Sequence, residues 1–129
     1  MKTGDQFEQT FRVTPEIYSG FIQIFRDKNP LHLDETFARL KGFKGKVMHG
    51  NILNGFLSFF IGECLPVKNV VILAQEIKFS LPVYENDLLQ FHAEIKAFHE
   101  SVSAFDFQFF FENKSSGKVA RGKFQIRLL

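Results

Sequence analysis

The sequence predicts an α+β domain in which an antiparallel sheet of about five strands wraps around one long, buried central helix. Three observations lead to this fold class. Residues 14–63 carry apolar residues at helical spacing, whereas residues 70–128 alternate apolar and polar residues as strands do. Residues 48–62 are apolar on nearly every face, which is typical of a helix buried all round. A sheet curled around that helix is an economical way to bury it.

The first half of the chain reads as one strand followed by helices. Alternating apolar residues predict a strand over residues 6–13. A threonine followed by proline then predicts a helix over residues 15–27, which the Asn29-Pro30 pair ends. A short helix that Asp34 can cap is expected through Leu40.

The second half reads as an antiparallel meander. The predicted strands cover residues 70–80, 89–95, 105–111 and 118–128, with turns at 81–87 and 113–117. Eighteen phenylalanines stand beside two tyrosines and no tryptophan. Because a chain this small has difficulty burying so many apolar rings, we expect a homodimer or a larger assembly.

Length and composition exclude several classes of protein. With 129 residues, 45% of them hydrophobic and 23% charged, residues 1–129 fit one domain. A net charge of +2 predicts neither a nucleic-acid nor a membrane-surface partner, and no apolar run is long enough to span a bilayer. A single cysteine, Cys64, excludes an internal disulfide, and the first residues lack an apolar leader. We therefore expect a reducing, cytoplasmic setting.

The segment around Asp27 and His32 is the first candidate for chemistry. Pro30 bends the chain, so His32 can fold back towards Asp27, which we expect in the last turn of the preceding helix. An acid and an imidazole at one point can share a water and move its protons. The alternative is a solvated carboxylate at a helix end and a histidine packed in a loop.

A glycine at the start of the apolar helix is the second candidate. The N–H of Gly50, together with the positive end of the helix, can bind an anionic oxygen. Alternatively, Gly50 only lets the helix begin in a crowded place. Ser58, two turns further on, is expected to face inward, as a pocket residue or as a hydroxyl bonded to the helix backbone.

Together these motifs resemble the MaoC-like (R)-specific enoyl-CoA hydratases and 3-hydroxyacyl thioester dehydratases. The matching residues are Asp27-x-Asn29-Pro30-Leu31-His32-x5-Ala38, His49-Gly50, Leu65-Pro66 and the stretch from Phe79 to Asp87. The resemblance covers nearly the whole chain. It departs from the family pattern at Arg26, where a glycine usually stands before the catalytic aspartate.

The resemblance implies a hotdog fold, a homodimer at least, and reversible syn hydration of trans-2-enoyl thioesters to (R)-3-hydroxyacyl thioesters. Asp27 and His32 would be the catalytic pair, in an order that the resemblance leaves open. Asn29 would orient the attacking water, and the Gly50 N–H would polarise the thioester carbonyl. Ser58 would line the same pocket.

The resemblance also implies an acyl-CoA or acyl carrier protein thioester as substrate. Basic residues just before the apolar helix could meet the carrier's phosphates or acidic surface, or could simply be solvated: Arg39, Lys41, Lys44 and Lys46. No metal and no cofactor are expected, because the histidines lack further carboxylate or cysteine partners at ligand spacing.

Three other functions are compatible with the fold class. Thioester hydrolysis would need a carboxylate on the central helix near Gly50, and Glu63 is too far along the chain. A catalytically silent domain that binds acyl thioesters or serves as a partner subunit is the second possibility. A generic ligand-binding α+β domain is the third.

Overall fold

The computed structural model describes all residues 1–129, and its framework is a five-stranded antiparallel sheet. The strand order across the sheet is β1-β3-β4-β5-β2. The strands are β1 (Gln6–Arg12), β2 (Val70–Phe79), β3 (Leu88–His99), β4 (Ala104–Asn113) and β5 (Gly117–Leu128). The predicted α+β class and the five antiparallel strands are confirmed.

The helices lie between β1 and β2 in the chain. They are α1 (Pro15–Phe25), α2 (Pro30–Leu33), α3 (Glu35–Leu40) and α4 (Asn51–Phe59), with a π-helical turn at Phe60–Cys64. The Thr14 hydroxyl caps α1 by accepting from the Ile17 N–H at 3.2 Å. Asp34 caps α3 as expected, since its Oδ1 accepts from the Phe37 N–H at 3.0 Å. Helix α2 was not predicted, because its four residues are too few to show a periodic pattern.

Aromatic rings fill the space between α4 and the inner face of the sheet. The rings of Phe11 and Phe56 stack with centroids 4.6 Å apart, and Phe60 lies 4.7 Å from Phe91. Half of the phenylalanines are buried, namely Phe11, Phe56, Phe60, Phe91, Phe105, Phe107, Phe109, Phe111 and Phe124. These contacts hold α4 against the sheet and fix where its first turn lies.

The expectation that the central helix is buried all round is wrong for the single chain. One side of α4 packs on the sheet, but Asn51, Gly55, Ser58 and Phe59 are exposed on the other. The Phe59 side chain is 50% exposed. The apolar residues of α4 therefore face the sheet on one side, and on the other side Phe59 is the large apolar residue left exposed.

The sheet also has an apolar edge. Strand β2 pairs only with β5, and its free edge carries the exposed residues Val71, Ile72 and Leu73. No helix in the chain is both long enough and apolar enough to cross a membrane.

Candidate active site

Asp27 lies just beyond the end of α1. The helix ends at Phe25, and Arg26 follows in the left-handed conformation, with φ 60° and ψ 25°. The Arg26 N–H still donates to the Ile22 carbonyl at 2.8 Å, which closes the helix. Asp27 is therefore an exposed loop residue, and the expectation that it lies in the last helical turn is wrong. The left-handed residue turns the chain before Asp27.

The turn after Asp27 is held by Asn29. The Asn29 side-chain oxygen accepts from the Leu31 N–H at 3.2 Å and caps α2, whose first residue is Pro30. The Asn29 N–H donates to Asp27 Oδ1 at 3.2 Å. These two bonds and the fixed φ of Pro30 reverse the chain, so that His32 returns towards Asp27 as expected.

The His32 ring is fixed in one orientation. Its Nδ1 lies 2.7 Å from the Val47 carbonyl, which can only accept, so Nδ1 donates and Nε2 is left to exchange protons. The Tyr18 hydroxyl lies 2.7 Å from the His32 carbonyl and 3.1 Å from that of Val47. Burial, helped by the charge of Glu85, raises the pKa of Tyr18 to about 12, so the phenol remains a donor.

His49 is a site residue to which the sequence pattern alone assigned no role. Its side chain is 2% exposed, and its Nε2 donates to the Asp27 backbone carbonyl at 2.9 Å. Its ring stacks on that of His32, with centroids 3.9 Å apart and planes at 27°. Burial lowers the pKa of His49, and the neighbouring His32 lowers it further. The available signal was a histidine at the entrance of an apolar helix.

Gly50 precedes α4, and its N–H has no hydrogen-bond partner within the chain. The ring of Phe79 lies against it: a Cβ added to residue 50 would stand 2.9 Å from Phe79 Cε1. A side chain at residue 50 would therefore displace the Phe79 ring, and Gly50 also offers the free N–H that was expected from the sequence.

Asp27, His32 and His49 meet in one cavity. Their ligating atoms all lie within 4.8 Å of one another. The cavity has a volume of about 530 Å³ and is bordered by Gly50 and by apolar side chains that include Phe79. A carboxylate and an imidazole nitrogen at this separation can hold one water between them, in a cavity that Gly50 with its free N–H also borders.

The same three residues are a possible ligand set for a metal ion, but their geometry is unfavourable for one. Two backbone carbonyls already occupy His32 Nδ1 and His49 Nε2. The remaining ring nitrogens belong to two rings that stack 3.9 Å apart with planes at 27°, and lone pairs in nearly parallel planes suit tetrahedral coordination of one ion poorly. The expected absence of a metal stays a prediction.

Two of the expected site residues lie elsewhere. Ser58 is exposed on the outer side of α4 and does not border the cavity, so the expectation that it faces inward is wrong for the single chain. Asn29 is also outside the cavity lining, and its side-chain oxygen is occupied by the α2 cap. The position of Asn29 is better suited to holding the Asp27 loop than to orienting a water.

The fold and the site together define a family. Residues 2–105 match the MaoC like domain, and the chain belongs to the MaoC-like domain family. The hotdog fold expected from the resemblance is confirmed, since the structural neighbours are hotdog proteins of this family.

Individual relatives are enzymes. The chain is 35% identical over 100 residues to an (R)-specific enoyl-CoA hydratase of Aeromonas caviae, covering 78% of this chain and 75% of the relative. It is 30% identical over 87 residues to a mitochondrial 3-hydroxyacyl-[acyl-carrier-protein] dehydratase of Arabidopsis thaliana, covering 67% of this chain and 51% of that one.

The solved structure of an (R)-hydratase from A. caviae superposes with a TM-score of 0.90 at 26% identity. That match covers 100% of this chain and 98% of the other. The agreement therefore extends over the full sheet and all of the helices.

Proposed function

We propose that this chain catalyses the reversible addition of water to trans-2-enoyl thioesters, giving (R)-3-hydroxyacyl thioesters. The observation that carries the proposal is the convergence of Asp27 and His32 beside the free Gly50 N–H in one largely apolar cavity. The activities of the relatives, hydration and dehydration of acyl thioesters, support the same reaction.

We assign one step of the reaction to each group. The Gly50 N–H donates to the thioester carbonyl and stabilises the enolate that forms when water adds. The Asp27 carboxylate accepts a proton from the water as the oxygen of that water bonds to C3. His32 donates a proton from Nε2 to C2, since its Nδ1 is held by the Val47 carbonyl. The proton on Asp27 then returns to His32 before the next turnover. Both new bonds form on the face where the two side chains lie, which accounts for syn addition.

A spectrophotometric assay tests the proposal. The purified protein is mixed with crotonyl-CoA and with longer trans-2-enoyl-CoA, and loss of the conjugated thioester absorbance is followed. Asp27→Asn and His32→Gln are each expected to lower kcat by roughly 10²–10⁴-fold, the usual range for an acid or base. His99→Gln is the matched control, because that ring is exposed and bonds to Asp106 on the sheet, away from the cavity.

Other outcomes would contradict the proposal. Release of free thiol would indicate a thioesterase, although Glu63 is exposed and lies outside the cavity lining. Binding of acyl thioesters without turnover would indicate the silent domain. Wild-type rates in both the Asp27 and the His32 variants would remove the catalytic assignment.

We place the carrier of the acyl group at the loop before α4. This loop borders the cavity through Phe43 and Val47. Arg39 is engaged by Glu35 and by the Lys44 carbonyl, both at 3.1 Å. The ammonium groups of Lys44 and Lys46 lie over the rings of Tyr84 and Tyr18, 5.9 Å and 5.7 Å from the ring centroids. Neither forms an ion pair, so they are the proposed contacts for coenzyme A phosphates or an acidic carrier protein. Lys46→Glu should raise KM for the thioester substrate. Comparing this increase for the coenzyme A thioester and for the acyl carrier protein thioester shows which carrier the lysine contacts.

We further propose that two copies associate through the exposed side of α4 and the free edge of β2. These surfaces hold apolar residues that a single chain leaves in water, among them Phe59, Ile72 and Leu73. Leu73→Glu should convert a dimer to a monomer in sedimentation analysis. Val102→Glu, at an exposed apolar residue outside both surfaces, is the control. The cytoplasmic setting stays a prediction.

A further inference from the structure

His49 links all of the groups to which the proposed reaction assigns a role. Its Nε2 donates to the Asp27 carbonyl at 2.9 Å, and its ring stacks on that of His32 at 3.9 Å. It is also the residue immediately before Gly50, so it belongs to the chain segment that presents the free N–H. No other side chain contacts both Asp27 and His32 in this way.

Packing alone does not account for a histidine at this position. The ring is 2% exposed, and the rings of Phe21 and Tyr18 lie 4.8 Å and 5.8 Å from it. Its Nδ1 is buried and has no hydrogen-bond partner. An orphaned ring nitrogen in such a place is destabilising, and a phenylalanine ring of similar size would carry no such penalty. A histidine at this position is therefore best explained by the hydrogen bond that its Nε2–H donates to the Asp27 carbonyl.

We propose that His49 is a positioning residue that fixes the Asp27 loop and the His32 ring relative to Gly50. The inference rests on the proposed function and deepens it. The Nε2–H bond holds the backbone of Asp27, which otherwise sits in an exposed loop after a left-handed residue. The stacked face limits rotation of His32 towards the cavity wall. A displacement of about 1 Å in such groups can cost about 10²-fold in rate.

The charge state of His49 suits this task. A backbone carbonyl can only accept, so Nε2 carries the hydrogen and the neutral ring keeps its lone pair on Nδ1. The groups that face His49 are Tyr18 from α1, the Asp27 loop and His32 from α2. Burial is the largest influence and lowers the pKa of His49, and His32 lowers it further, although the Asp27 carbonyl and carboxylate oppose this shift. His49 therefore donates without competing for the protons of the reaction.

Two substitutions separate the hydrogen bond from the ring. His49→Phe keeps an aromatic ring against His32 and removes the donor. His49→Gln places an amide N–H near the position of Nε2 and removes the ring. We expect His49→Phe to lower kcat by about 10–100-fold with KM nearly unchanged and a melting temperature equal to or above that of the wild type. His49→Gln should recover most of kcat.

The outcomes distinguish this inference from the function on which it rests. If His49→Phe keeps wild-type kcat while Asp27→Asn loses activity, the reaction stands and the positioning role is wrong. If His49→Gln is as impaired as His49→Phe, the Nε2–H bond is not what positions Asp27, and the inference is again wrong. If His49→Phe does not fold, His49→Leu replaces it as the variant without a donor, and equal kcat in His49→Leu and His49→Gln would show that the inference is wrong. A wild-type protein without hydratase activity on any chain length removes both proposals.

Discussion

The ring of Phe79, at the end of β2, closes over the backbone of Gly50, at the start of α4. A Cβ on residue 50 would stand 2.9 Å from one ring carbon and 3.0 Å from the next. Gly50 itself has φ −55° and ψ −33°, which any residue can adopt. The tight space at residue 50 thus comes from the neighbouring ring and not from the backbone conformation.

Gly50→Ala is therefore expected to keep the fold and lose activity. Phe79 is 54% exposed and can rotate, but rotation moves its ring into or away from the cavity that must hold the thioester carbonyl. We expect kcat/KM to fall by about 10–100-fold, consistent with a disturbed oxyanion donor. The double variant with Phe79→Ala should recover part of that loss in steady-state kinetics. Wild-type kinetics in the Gly50→Ala variant would show that the contact is irrelevant.

Arg26→Gly is expected to stabilise the protein. A left-handed conformation costs a residue with a side chain about 1–2 kcal/mol, and glycine loses about 0.5–1 kcal/mol more entropy on folding. The Arg26 side chain is exposed and borders neither the cavity nor the larger apolar groove beside α1. We expect a net gain of about 0.5–1 kcal/mol in urea unfolding, with unchanged kcat. Arg26→Ala keeps the strain and loses the charge, so it should show no gain.

Tyr18→Phe is expected to lower the free energy of unfolding by about 1–2 kcal/mol, because it leaves the His32 and Val47 carbonyls without their shared donor. Tyr84→Phe, at the other tyrosine, should lower the free energy of unfolding by less.

Because the folded protein raises the pKa of Tyr18 from 10.0 to about 12, the folded state binds more protons than the unfolded state between these pH values. Wild-type stability should fall as the pH rises through that window, and the Tyr18→Phe variant should lack this fall.

Stability below neutral pH is expected to depend on His49. Its pKa is lowered from the ordinary 6.5 in the folded state, so the unfolded chain binds more protons as the pH falls below 6.5. The contribution of the neutral ring is present above 6.5 and is lost as the pH falls. Urea unfolding at about pH 7 and about pH 5 should show this loss in the wild type and a smaller one in His49→Phe. Equal losses in both proteins would exclude His49 as the cause.

Much of the fold was predictable because the relevant signals are local. Alternation over residues 70–128 and the Thr14-Pro15 and Asp34 caps depend on neighbours a few residues apart, and the structure has the corresponding elements. The exposed face of α4 was not predictable. An apolar residue such as Phe59 in a helical pattern does not record whether the sheet, another molecule or solvent lies against it.

The sequence by itself determined the class of the domain, the order of its strands and helices along the chain, and the Asp27–Asn29–Pro30–His32 turn, because a proline and an Asn cap act on adjacent peptides. Only the tertiary structure decided that His49 lies on His32 and that Ser58 faces outward. Those placements depend on how β2 and α1 pack around the first turn of α4. Packing joins residues that are far apart in the chain, and no local spacing encodes the distance between them.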